Sequence, residues 1–373
     1  MTAPIPVEQL RAARMVSLQL ATRERRTPLE VAEWFGALQA QDVASGHWSI
    51  GVRCPGATEA TVLESFERGD IVRTWPMRGT IHIVPGRDVS WMLNLMGPRA
   101  LASSARRRES LGLTLRDVER AAEALATELG TARVLTRAQA VATIADAGIN
   151  VTGQRSYHLL WYAAQVGITC IGPQRGRDQT FVLLADWAPD QVMLTHADAL
   201  VELFFRFVRS HGPVGLRDFA GWTGMTLTDT REAAAGNDGR VVPLRTDAGE
   251  LWATTSLTDR LRGRDLPTHA VVALPGFDEF VLGFKDRSLQ LTPGSFERVV
   301  PGGNGVFRAT VAADGLAVAT WKRTLKPGRV IVEVEPLATP PDPTDLDAAF
   351  APYGHFLGRQ VELQGVVRRH RGR

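Results

Sequence analysis

One pattern recurs along this chain and limits what it can fold into: three helices followed by two short strands. In the first occurrence, apolar residues at helical spacing predict a helix over 7–20. Thr27-Pro28 sets an N-cap residue before a proline at the first helical position and opens a second helix over 28–40. A third helix spans 58–69, closing at Gly69, and strands over 71–75 and 80–84 form a ribbon around Pro76-Met77-Arg78-Gly79. The second occurrence has helices over 115–128, 137–146 (capped by Thr136, stopped at Gly148) and 156–166. Its ribbon, 168–171 and 181–184, encloses the basic turn Pro173-Gln174-Arg175-Gly176-Arg177. The third has helices over 197–209, 214–220 and 228–235, then strands over 241–244 and 251–254 closing on Asp247-Ala248-Gly249. Three helices and a ribbon make a winged-helix unit, whose third helix usually enters a DNA groove. Single winged helices also serve as protein-interaction modules, but three in series favour nucleic acid.

From His269 the texture changes to short strands over 271–275, 306–311, 316–321 and 329–334. Gly302-Gly303-Asn304-Gly305 is a turn, and Asp314-Gly315 is a strong two-residue hairpin signal. A proline-rich run over 337–344 leads to a terminal helix over 345–356. At 373 residues the chain is too long for one ordinary core. The expected fold is therefore α+β, mainly α. Three tandem winged-helix domains (1–100, 101–190 and 191–262) precede a C-terminal antiparallel β-barrel-like domain over 263–373.

Composition narrows the function. No apolar run reaches the roughly 20 residues of a membrane span, and the N-terminus lacks a secretory pattern, so the cytoplasm is the expected location. Cys54 and Cys170 have no close Cys or His at ligand spacing, so neither a disulfide framework nor a metal site is expected. Net charge is only +3, yet three lysines stand against forty arginines. Codon bias produces such a ratio, but arginine's planar, permanently charged fork also suits phosphates. Clusters occur at Arg23/Arg25/Arg26, Arg106/Arg107/Arg108, Arg175/Arg177 and Arg368/Arg369/Arg371/Arg373. They read as a DNA footprint, or as solvated faces.

Several stretches resemble the winged-helix DNA glycosylase family that includes AlkZ and AlkX. They are Leu38-Gln39-Ala40-Gln41-Asp42, Trp75-Pro76-Met77-Arg78-Gly79-Thr80-Ile81-His82, Leu274-Pro275-Gly276-Phe277-Asp278-Glu279-Phe280, Gly283-Phe284-Lys285-Asp286-Arg287-Ser288, and Asp314-Gly315 with Ala319-Thr320-Trp321-Lys322. The family's catalytic signature is glutamine, an aliphatic residue, then aspartate or glutamine, set in a DNA cleft. Here it falls on Gln39-Ala40-Gln41, which resembles the glutamine–glutamine subgroup. That resemblance implies a monofunctional glycosylase acting on double-stranded DNA that carries alkylated purines, including bulky genotoxin adducts and interstrand crosslinks. It implies no cofactor.

The chemistry is consistent with glutamines. An N7-alkylated purine is already cationic, so it leaves without protonation, and what remains is to orient a water and stabilise an oxocarbenium-like sugar. A glutamine carbonyl accepts from water while its amide donates to a phosphate or sugar oxygen. The candidate catalytic residues are Gln39 and Gln41, and candidate DNA contacts are Arg78, His82, Arg106, Arg107, Arg108, Arg175 and Arg177. His82 either touches DNA beside a lesion or is a satisfied ribbon histidine. Asp278, Asp286 and Arg287 read as an internal ion network, and Trp34, Trp48, Trp75 and Trp161 as core. All three lysines lie in or beside the C-terminal domain, so no Schiff-base lysine is expected. No phosphate-cradling Gly-rich loop or nucleophile elbow occurs. The competing class is a non-enzymatic winged-helix DNA-binding regulator or architectural protein; regulators rarely append an antiparallel barrel.

Overall fold

The computed structural model describes residues 5–247, 249–267, 269–339 and 341–365. The terminal arginine cluster, and Ala248 in the third ribbon's turn, lie outside them. The chain divides into two compact units: residues 1–62 with 201–373, and residues 63–200. The expected domain boundary at 100/101 falls inside a single long helix.

The first unit opens with α1 (Val7–Ser17) and α2 (Pro28–Phe35). Thr27 and Glu30 form a reciprocal capping box that starts α2. The helix was expected to run to residue 40 but stops five residues earlier. Gly36 takes φ 79°, a conformation open to glycine, and turns the chain into the short extended segment β1 (Leu38–Gln39). Asp42 then caps a helix the sequence reading missed, α3 (Val43–Gly51), by accepting from the Ser45 amide at 2.8 Å. α4 (Glu59–Glu67) carries the chain past the first cut.

In the second unit, strands β2 (Ile71–Met77) and β3 (Thr80–Pro85) precede α5 (Val89–Ser110), a 22-residue helix that was also not foreseen. α6 (Leu115–Ala132), β4 (Leu135–Thr136), α7 (Arg137–Asp146), α8 (Arg155–Gln165), β5 (Thr169–Ile171), β6 (Thr180–Leu183) and the short α9 (Leu184–Trp187) follow. These match the second expected copy closely. The two ribbons do not stay apart, however: Arg73 of β2 pairs with Ile171 of β5, giving the strand order β3-β2-β5-β6-β4 within this unit. Val118, Ala121, Ala122, Leu125 and Leu129 of α6 recur at helical spacing, and they bury against Ile144, Leu159, Leu160 and Phe181.

α10 (His196–His211), α11 (Leu216–Thr223), α12 (Leu227–Ala235) and the antiparallel ribbon β7 (Val241–Thr246) and β8 (Gly249–Thr254) realise the third expected copy element by element. α13 (Thr255–Gly263) packs Leu257 and Leu261 against Ala13 and Val16 of α1. The C-terminal region contains β9 (Val271–Leu274), short helices α14 (Glu279–Leu282) and α15 (Phe296–Val299), β10 (Ala309–Ala313), β11 (Leu316–Lys326), β12 (Arg329–Pro336), α16 (Pro343–Leu357) and β13 (Gln360–Gln364).

The C-terminal strands form one curled sheet in the order β13-β12-β11-β10-β9. Asp314 (φ 49°) and Gly315 (φ 80°) make the expected two-residue hairpin between β10 and β11. The sheet departs from the expected all-antiparallel arrangement, because β13 pairs parallel to β12. α16 is the reason: a helical crossover returns the chain in its original direction, whereas a hairpin reverses it. Trp321 packs on Phe350 and Tyr353 of α16, and Trp48 of α3 lies 5.0 Å from Tyr353 and 5.1 Å from Phe356. Trp48, Trp75 and Trp161 are core as expected, while Trp34 is half-buried between the guanidinium groups of Arg25 and Arg209. Among the described residues, no helix is long and apolar enough to cross a membrane.

Candidate active site

Gln39 and Gln41 lie in the stretch between Gly36 and Asp42, not at the end of a helix. Gln39 is buried at 7% exposure and Gln41 is exposed, so the pair runs from interior to surface within three residues.

An acidic pair from the C-terminal region fixes this stretch from both sides. Glu279 is fully buried, and its Oε1 accepts from the Gln39 backbone N–H at 3.2 Å. Its Oε2 accepts from Trp222 Nε1 at 3.0 Å and lies 3.2 Å from His211 Nε2. A carboxylate partner at Nε2 calls for N–H there; the other ring nitrogen lies 2.8 Å from the Ser210 hydroxyl. Three donors converge on one carboxylate, which is what a buried anion needs in place of water.

Asp278, one residue earlier, holds the helix that follows the glutamines. Both its oxygens take a guanidinium N–H of Arg53 at 2.8 Å, and Asp278 Oδ2 also accepts from Ser49 Oγ at 3.1 Å. Arg53 is 0% exposed, and it donates further to the carbonyls of Leu18 and Ser49. β1 and α3 are therefore tied to one dipeptide some 240 residues away in sequence.

Two glycines of the same segment permit this close packing. A Cβ at Gly283 would fall 2.4 Å from the His211 ring, and one at Gly276 would fall 2.8 Å from the Phe307 carbonyl oxygen. His211 itself is stacked on Phe207 at 4.4 Å and edge-on to Phe35 at 5.6 Å.

The expected ion network differs from the observed one. Asp278 pairs with Arg53, while Asp286 accepts from the Ser288 amide and Arg287 donates to the Val281 carbonyl. Glu279, His211, Trp222 and Arg53 were not singled out from sequence. The signal for Glu279 was an Asp-Glu pair inside the otherwise apolar run Leu274–Val281, where a charge requires a buried partner.

The candidate DNA contacts divide. His82 in β3 is 0% exposed, with Nδ1 2.9 Å from the Thr80 carbonyl oxygen. Arg78 is exposed at the β2–β3 turn, at φ 52°. Arg106 and Arg107 are exposed and Arg108 half-buried on the last turns of α5, with Arg107 donating to Gln154. Arg175 and Arg177 are exposed at the β5–β6 turn, where Arg175 pairs with Glu67 at 3.2 Å. β2 and β5 run antiparallel, so the turn holding Arg78 and the turn holding Arg175 leave the sheet at opposite ends. The turns that carry Arg78 and Arg175 are therefore set apart.

The family model for AlkZ-like DNA glycosylases matches residues 32–356, which include Gln39, Gln41 and the Asp278-Glu279 pair. The chain belongs to this family. It is 25% identical over 356 residues to an interstrand DNA cross-link repair glycosylase of Streptomyces sahachiroi, covering 89% of this chain and 90% of that protein. Its fold matches the solved structure of the Streptomyces sahachiroi DNA glycosylase AlkZ with a TM-score of 0.80 at 21% identity, covering 97% of this chain and 100% of that one.

Proposed function

We propose that this glycosylase hydrolyses the N-glycosidic bond of cationic N7-alkylpurines in double-stranded DNA, bulky adducts and interstrand crosslinks among them, with Gln39 and Gln41 handling the water. The observation that carries the reading is the saturated Glu279 carboxylate on the Gln39 amide: a buried anion is spent on fixing the backbone of the signature itself. Crosslink repair by the Streptomyces sahachiroi relative supports the bulky end of the substrate range.

Balance of the step assigns the roles. The C1′–N9 bond breaks with its electron pair going to the purine, which neutralises the cation and needs no acid. A water oxygen bonds C1′, and its proton leaves to solvent. Glutamine is neutral and cannot take that proton, so its contribution is placement: a carbonyl oxygen accepting from the water and an amide donating to a nearby oxygen. Such groups supply less than the roughly 10²–10⁴-fold of a general acid or base, and ordinary purines, with poor leaving groups, are spared. Three tandem winged helices, with Arg78, Arg106, Arg107, Arg108, Arg175 and Arg177 on phosphates, complete the proposal.

The test separates rate from binding. Gln39→Ala and Gln41→Ala are each expected to lower single-turnover excision of N7-methylguanine by about 10–100-fold, with duplex affinity within about twofold. Gln41→Asp should retain more activity than Gln41→Ala. Wild-type rates in both alanine variants overturn the catalytic assignment. Failure of the wild type on N7-methylguanine and on bulkier N7 adducts leaves a DNA-binding regulator as the better reading.

A further inference from the structure

A second constellation of charge lies in the larger unit, away from the glutamines. A cavity of about 530 Å³ opens among α1, the first turn of α11, α12, β8 and the segment after Phe284. Its floor contains Arg14, wholly buried, donating to the Pro213 carbonyl and to Gln290 Oε1. Burial lowers the Arg14 guanidinium to about 10, and the nearby Asp218 and Asp286 carboxylates oppose the shift. Those two acids are further engaged by backbone amides: Asp218 with Gly215 and Lys285, Asp286 with Ser288.

Arg217, Arg231 and Lys285 also line the cavity, and all three are exposed. Among the described residues, none of their side chains has an ion-pair or hydrogen-bond partner. Against them stands one further acid, Glu250. Other arginines of this unit do have acid partners, as Arg206 and Arg240 have in Glu202. Three exposed cations without partners, lining a volume within the range of small-ligand sites, suit an anion with an organic body.

We propose that this cavity binds a nucleotide phosphate, supplied by the strand of the DNA on which the enzyme acts, through Arg217, Arg231 and Lys285. The inference rests on the glycosylase reading for its choice of partner. Arg217 lies on α11, which also carries Trp222, the residue bonded to Glu279, and Lys285 follows Glu279 by six positions. A phosphate seated here would be held by elements that also reach the carboxylate bonded to the Gln39 backbone.

The experiment uses the full chain and the triple variant Arg217→Gln/Arg231→Gln/Lys285→Gln, whose positions are exposed and unpartnered and so carry little folding risk. Binding of a labelled duplex, undamaged or with one N7-methylguanine, is followed by fluorescence anisotropy from 50 to 300 mM salt. The variant should lose about tenfold in affinity at low salt, and the slope of log K against log salt should shrink by about two to three. Glu250→Gln, which removes an anion from the same rim, should tighten binding.

Millimolar dGMP, followed by thermal shift, tests the other source of the same chemistry. Stabilisation of the wild type but not of the triple variant, with an unchanged salt slope, reassigns the cavity to free nucleotides. An unchanged slope together with no response to dGMP overturns the proposal. A reduced slope in an enzyme that excises nothing keeps the phosphate site and sinks the glycosylase reading instead.

Discussion

The two compact units differ in how they use buried charge. In residues 63–200 the core is aliphatic and aromatic, built from Val118, Leu125, Ile144, Leu159 and Phe181, and Arg73, Asp88 and His158 are buried as well. In the other unit Arg14, Arg53, His211, Asp218, Asp278 and Glu279 are all buried. Burying charge is costly unless every member is paired, and well-packed apolar groups give comparable or better stability. The buried set is therefore best understood through what it fixes. Asp278 and Glu279 hold β1, which contains Gln39, and α3, which follows the glutamines.

The largest effect that can break this comparison is expected at Arg53. Arg53→Ala leaves Asp278 buried without its cation and should cost about 3–5 kcal/mol in chemical denaturation. A cost below 1 kcal/mol would show that the pair is not what holds α3 in place. In the second unit, Leu125→Ala removes a fully buried side chain, and its cost of about 2–5 kcal/mol should come from cavity formation alone, with no change in excision rate. A large rate loss at preserved fold would mean that unit also sets the catalytic geometry.

Glu279→Gln sharpens the contrast at smaller scale. The amide replaces one acceptor with a donor and must face the Trp222 indole, His211 or the Gln39 N–H, an unmet pairing of about 1–3 kcal/mol. As a positioning residue it should lower single-turnover excision about tenfold with duplex affinity intact; rate and affinity falling together would indicate general unfolding instead. Arg106, Arg107 and Arg108 replaced together by alanine should weaken damaged and undamaged duplex alike, by about tenfold or less at low salt. Unchanged binding of both would make the cluster a solvated face.

The smallest effect is a pH dependence in the second unit. Burial, then Arg108 and Arg107, hold the His158 imidazole below its ordinary value. The unfolded chain therefore binds a proton below about pH 6.5 that the folded unit refuses, so stability should fall as pH drops below that value and rise as pH climbs back toward it. His158→Gln should flatten the profile there. A profile of unchanged slope would place the titrating group elsewhere.

Much of the fold was legible because its signals are local. Thr136 with Gln139 and Thr226 with Asp229 start helices where the sequence said they would, and Asp314-Gly315 turns a hairpin. What escaped reading has non-local causes. α5 carries Pro98 in its interior and has little apolar periodicity, because its two ends meet different surroundings: Trp91–Leu93 and Leu95–Gly97 are buried, whereas Arg106 is exposed. The joining of two ribbons into one sheet depends on a single pairing between residues 73 and 171, which no window of sequence contains. In the candidate site the glutamines were found through resemblance. Their supports were not, because Glu279 meets Gln39 only through the fold, and Gly36, which ends α2 early, was read as an ordinary helical residue.

The first unit is made of two stretches of chain with the second unit between them. During synthesis residues 63–200 emerge as one continuous piece and have their own core partners at hand. The signature segment does not: its anchor follows 240 residues later, and at about 5–20 residues per second the ribosome delivers it about 12–50 s after Gln39 has emerged. For that interval Arg53, whose acid partner is Asp278, and the apolar faces of α1 and α2 are exposed to the cell without their final partners. A candidate site whose signature waits on Glu279 is one that products cut short before that residue cannot complete.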